Sequence, residues 1–175
     1  EYPAVFGEKG LMRVKIYGEE KNIAPDFSFE GGKVINIVPD EAKAFIDGKE
    51  MHEKGKAAHG SMPEKGENAV IKLAEKISAL YPESTFAKLA SLCDEKALGI
   101  DIADEMTKIS VNPSVLIADS KKCELSYDIR YPITADGEKV ISAIKAAAEK
   151  KGLTADIFFH ETPLYVPSDS HLVKT

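Results

Sequence analysis

The sequence predicts an α+β fold: an antiparallel sheet with helices packed on one face, ferredoxin-like and internally duplicated. Three observations carry this. Residues 11–17 alternate, with Met12, Val14 and Ile16 on one face and Arg13 and Lys15 on the other. Residues 109–118 and 123–131 read as two strands of a hairpin joined across Asp119-Ser120-Lys121-Lys122. Helical text lies between strand runs rather than alternating strictly with them, which favours hairpins over a parallel sheet.

Taken in order, a strand over 27–30 meets Gly31-Gly32 as a tight turn or bulge, and a second strand over 33–38 ends at Pro39. Residues 40–44 fit either a short helix or an edge strand. Residues 50–56 form a polar strand or loop that leads to His59. From Glu67 the apolar residues Val70, Leu73, Ala74, Ile77 and Leu80 recur at helical spacing until Pro82. Ser84 caps a second helix with Phe86, Leu89, Ala90 and Cys93 as its stripe. After a connector over 99–107 and the hairpin, Asp136 caps a third helix with Val140, Ile141, Ile144 and Ala147/Ala148 inward and Gly152 as its stop. Residues 155–159 close the sheet. Asn36 and Asn112 each precede a proline in strand text, a weak internal repeat that divides the chain at 1–50 and 51–165.

A formal charge of -6 over 175 residues, with Lys and Arg dispersed among acids, offers no basic field for nucleic acid. No apolar run reaches the ~20 residues of a bilayer span, so no membrane partner is expected and the cytoplasm is the expected location. Cys93 and Cys123 lack CxxC spacing and read as buried, unpaired thiols.

Three residues carry candidate chemistry. His59 sits in a loop of small residues, Ala57, Ala58, Gly60 and Ser61, then Pro63; it is either a surface histidine or one left open to a ligand or another domain. Arg130, on the polar face of its strand, is either a solvated partner of Asp128 or a fork for a carboxylate. Asn36, among Val34, Ile35, Ile37 and Val38, needs partners from backbone, water or ligand. His52 and His59 have no further ligand at zinc spacing, so no metal site is expected within the chain. The run from Gly60 to Gly66 lacks the phosphate-loop pattern. His160 and His171 read as surface residues.

The strings EYPAVFGEKG, GGKVINIVPDEAKAFI, GKAAHGSMPEKGENAV, LSYDIRYP and PLYVPSDSHLVKT together resemble the lid domain of the aminoacylase/carboxypeptidase family of two-zinc peptidases. Within it, the peptidase V type, or Xaa-His dipeptidases, is the nearest group. The resemblance implies that residues 1–175 are a lid inserted in a larger, discontinuous catalytic protein, with 166–175 starting the return to the catalytic domain. Two zinc ions and a general base would lie outside this chain. By the same resemblance His59 hydrogen-bonds the oxyanion, Asn36 and Arg130 hold the C-terminal carboxylate of a dipeptide, and the lid closes over the parent's catalytic domain. One departure is visible: 22 residues separate Asn36 from His59, as if a helix and a strand were missing within 45–55. The competing expectation is a non-catalytic ferredoxin-like dimerisation or small-molecule-binding module, with His59 and Arg130 serving an interface.

Overall fold

The computed structural model describes residues 7–165, and the expected re-entry at 166–175, with His171, lies outside them. Nine strands and three helices follow in order: β1 (Gly7–Glu8), β2 (Gly10–Glu19), β3 (Ser28–Gly31), β4 (Glu41–Ile46), β5 (Lys49–Lys54), α1 (Ala69–Leu80), α2 (Thr85–Ala90), β6 (Ser110–Asp119), β7 (Lys122–Tyr131), α3 (Gly137–Lys150), β8 (Thr154–Glu161) and β9 (Leu164–Tyr165). A single turn of 3-10 helix, Pro63–Lys65, precedes α1. Seven strands form one antiparallel sheet in the order β5-β4-β3-β6-β7-β2-β8, and β1 pairs separately with β9.

Within that sheet β2, α1, β6, β7, α3 and β8 make a ferredoxin-like βαββαβ unit with the spatial order β8-β2-β7-β6. β2 and β6 run the same way with β7 between them. Strands β3, β4 and β5 extend the sheet from the β6 edge as a meander. Because β2 lies between β7 and β8, residues 1–50 and 51–165 interleave in one sheet.

Strand alternation explains the two faces. Met12, Val14 and Ile16 of β2, Cys123, Leu125, Tyr127, Ile129 and Tyr131 of β7, and Ala42, Ala44 and Ile46 of β4 all enter one core cluster. Val70, Leu73, Ala74 and Ile77 of α1 close it above β4, β5 and β6, while α2 packs on β2 and β7 and α3 on β8. Each large side chain buried this way contributes about 1.5–3 kcal/mol, far above the few tenths that separate helix propensities. Packing therefore decides where α1 lies, and Asn68 decides where it starts, its side chain accepting from Ile71 N at 3.1 Å. Ser84 and Asp136 cap α2 and α3 as predicted.

Two sequence expectations need correction. Residues 33–38 form no strand; Gly32 adopts φ +77°, and a Cβ there would lie 1.8 Å from Ser114 O, so the chain leaves the sheet against β6. Val34 (51% exposed) and Ile37 (41%) then lie on the surface, so their apolar character does not report core burial. Cys93 falls beyond the end of α2, not inside it. Of the undecided segment over 40–44, residues 41–44 belong to β4, whose residues alternate exposed and buried throughout. Between β4 and β5, Asp47 (φ +52°) and Gly48 (φ +74°) make a two-residue turn. Asp26 holds it by accepting from Asp47 N at 3.0 Å and Gly48 N at 2.7 Å. That tight turn stands where the sequence pointed to missing elements.

Both cysteines are free, and burial pushes each thiol up to about 12. Among the described residues no helix is long and apolar enough to cross a membrane.

Candidate functional site

His59 is set by backbone closure on both sides. Lys56 and Glu67 exchange backbone hydrogen bonds of 2.9 Å, tying the base of the loop, and the Asn68 amide donates to Pro113 O at 2.7 Å, anchoring the start of α1 to β6. The imidazole is exposed. Its Nδ1 accepts from Ser61 N at 3.1 Å and lies 2.7 Å from Ser61 Oγ. A backbone N–H can only donate, so Nδ1 is an acceptor and the neutral ring carries its proton on Nε2. Among the described residues Nε2 has no partner, leaving an aimed N–H donor at the surface.

Asn36 lies beside this histidine. Ile37 and His59 pair as an isolated antiparallel bridge; Val38 N donates to Ala58 O at 2.8 Å and Gly60 N donates to Asn36 O at 2.7 Å. The small residue at Gly60 thus admits the chain's own Asn36 turn: a Cβ there would lie 3.0 Å from Asn36 O and 3.1 Å from Asn112 Nδ2. The structure brings together two of the three predicted residues.

Arg130 reaches the same region from β7, on the sheet face turned away from the helices. Its Nε donates to Asp128 Oδ1 at 3.1 Å, with Asp128 fully buried and the arginine side chain 23% exposed. Among the described residues Asp128 is its only hydrogen-bond partner, so both terminal nitrogens keep their donors. No hydrogen bond or ion pair joins Arg130 directly to His59 or Asn36. Between them stands Asn112, whose amide holds the Asn36 segment and which faces Asp128 in the β6–β7 register.

Sequence reasoning treated Asn112 only as a repeat marker. The signal that singled out Asn36, an amide inside apolar strand text, applies equally to Asn112, and Asn112 is the one that is fully buried in a strand. Lys9 was missed altogether: its ammonium donates to Lys108 O across the end of β7, and burial lowers its pKa while nearby Glu64 and Asp104 oppose that shift. Of the other histidines, His52 pairs with Glu41 at 3.0 Å. His160 is half-buried rather than a free surface residue, with Nε2 2.7 Å from the Tyr131 hydroxyl. Among the described residues no group of three or more His, Cys, Asp or Glu side chains is placed to hold a metal ion.

Residues 46–156 match the profile of the peptidase dimerisation domain. The chain belongs to that family. Two relatives are similar along all of it: "Putative dipeptidase SSP1012" of Staphylococcus saprophyticus, 23% identical over 221 residues, and "Putative dipeptidase YtjP" of Bacillus subtilis, 25% identical over 219. The chain covers 47% of each, and so spans about half the length of the curated relatives it matches. Both alignments run longer than this chain's 175 residues, so these relatives hold segments with no counterpart here. Among solved structures, the aminoacylhistidine dipeptidase of Vibrio alginolyticus superposes with a TM-score of 0.56 at 12% identity, covering 97% of this chain and 47% of that one. The lid-domain resemblance read from the sequence strings and the α+β fold are both borne out.

Proposed function

We propose that this peptidase dimerisation domain is the substrate-gripping lid of a zinc-dependent dipeptidase. The observation that supports it most is the His59 ring, whose Nδ1 is occupied by Ser61 N so that Nε2–H faces outward beside Asn36. In this reading Nε2–H donates to the scissile carbonyl oxygen as it gains negative charge, and a donor held in place before the reaction needs no reorganisation. Arg130, oriented through Nε by Asp128, offers its terminal nitrogens to the C-terminal carboxylate of the dipeptide, and Asn36 supplies the second polar contact. Zinc, held by residues outside this chain, would supply Lewis-acid polarisation and an activated water. A second reading, a module that serves association alone, draws on the family's own description as a dimerisation domain.

The test uses the full-length protein that carries this chain. His59→Ala should lower kcat for dipeptides about 100-fold or more without loss of folding. Arg130→Ala should raise KM far more for dipeptides with a free carboxylate than for C-terminally amidated analogues. Unchanged kcat in the histidine variant removes the oxyanion role, and equal KM effects on both substrate types remove Arg130 from the carboxylate site. An intact protein without dipeptidase activity leaves the association reading.

A further inference from the structure

Asn112 is fully buried near the start of β6, a position where an apolar side chain of the same shape would incur no desolvation. Its Nδ2 donates to Ile37 O at 3.1 Å and makes a longer, 3.5 Å contact with Ile35 O. Those two carbonyls flank Asn36, whose own carbonyl accepts from Gly60 N. Three successive carbonyls of a segment that lies outside the sheet are thus held, two by one side chain of β6 and one by the His59 loop. Nδ2 also bounds the space at Gly60, where a Cβ would approach it to 3.1 Å. On the other side, Asn112 stands directly opposite Asp128, the residue that orients Arg130. Among the described residues Asn112 Oδ1 and Asp128 Oδ2 have no partner, so this amide is present despite an unmet acceptor that leucine would not have.

We propose that Asn112 is a positioning residue that clamps the Asn36 turn and the His59 loop onto the strand pair carrying Arg130. Its consequence for turnover rests on the lid reading above; the clamp itself does not. Without the amide donor, the Ile35–Ile37 carbonyls lose their attachment to the sheet, and the bridge between Ile37 and His59 opens. The ring of His59 then keeps its Ser61 bond but loses its fixed placement relative to Arg130.

Hydrogen exchange followed by mass spectrometry, on the full-length protein carrying this chain, tests the clamp. In Asn112→Leu, peptides holding the Val38 and Gly60 amides should exchange about tenfold faster, the effect of losing one ordinary hydrogen bond, while β2 and β7 peptides keep their protection. If that variant fails to fold, Gly60→Ala, which crowds the same contact from the side of the His59 loop, should produce the same local speeding. Unchanged exchange at Val38 and Gly60 in a folded Asn112→Leu protein, or in Gly60→Ala where only that variant folds, overturns the clamp. Dipeptide kinetics add a second readout: Asn112→Leu should lower kcat in the wild-type background but have no further effect on kcat in a His59→Ala background. Equal factors in both backgrounds would make Asn112 merely structural. If the parent cleaves no dipeptide, the lid reading falls while the exchange data still decide the clamp.

Discussion

The Asp128–Arg130 pair yields an asymmetric stability prediction. Exposed ion pairs contribute about 0–1 kcal/mol, whereas removing one member of a buried pair costs about 3–5 kcal/mol because the other is left charged and unsolvated. Here the two members differ: Asp128 is sealed, and Arg130 is 23% exposed. Asp128→Ala leaves a guanidinium that still reaches water, so its cost should be about 1–2 kcal/mol, between the exposed and buried limits. Arg130→Met strands a sealed carboxylate. Its cross-strand neighbour Arg13 already lies over the Phe159 ring, 5.3 Å from the centroid, so the cost should approach 3 kcal/mol. Replacing the more exposed residue is therefore the more damaging change. With a urea slope near ~2 kcal/mol/M, the two variants should lower the unfolding midpoint by roughly 0.5–1 M and 1.5 M. Asp128→Asn, which keeps an acceptor at the same place, should fall closest to wild type. Costs below ~0.5 kcal/mol for both, or a larger loss for Asp128→Ala than for Arg130→Met, would refute the desolvation argument.

The Asp47-Gly48 turn and the carboxyl of Glu20 give two further tests. Gly48 has φ +74° and nothing within 4 Å of the point a methyl group would occupy, so Gly48→Ala should cost about 1–2 kcal/mol through backbone conformation alone. Thermal unfolding should show a fall of a few degrees, with Gly48→Asn recovering much of it; an unchanged midpoint in the alanine variant would contradict the turn geometry. Burial raises the pKa of Glu20 despite backbone donation from Lys21 and Thr85. The folded chain therefore holds that proton more tightly than the unfolded one. Its contribution to stability is complete below the ordinary carboxyl range and is lost as pH rises through the raised value. Glu20→Gln should flatten that part of the stability–pH curve, and identical slopes in the two proteins would count against it.

Helix α1 and strand β7 were legible because their apolar residues recur at periods of 3.6 and 2 and are buried, as Val70, Leu73, Ala74 and Ile77 are in α1 and Cys123, Leu125, Tyr127, Ile129 and Tyr131 are in β7. Residues 33–38 were not, because Val34 and Ile37 imitate a strand while Gly32 turns the chain out of the sheet. The three candidate site residues could be named from the sequence and its resemblance, but the placement of Asn36 against His59, with Arg130 on a neighbouring strand, could not. It depends on the Ile37–His59 bridge and on the register that sets Asn112 opposite Asp128, both long-range pairings that local patterns do not encode. The tautomer of His59 is likewise a matter of loop geometry: it follows from the Ser61 N–H turning back to Nδ1, which the order of residues does not state.

The two short strands β1 and β9 pair Gly7 with Tyr165 and Glu8 with Leu164, setting the first and last described strands side by side. Their mechanical consequence is a load path. Tension applied across that point meets two bridge pairs one after the other, in the manner of a zipper, before it reaches the long strands β2 and β8. Strain applied there is thus taken up by a ribbon two residues long before it disturbs the ladder of the seven-stranded sheet.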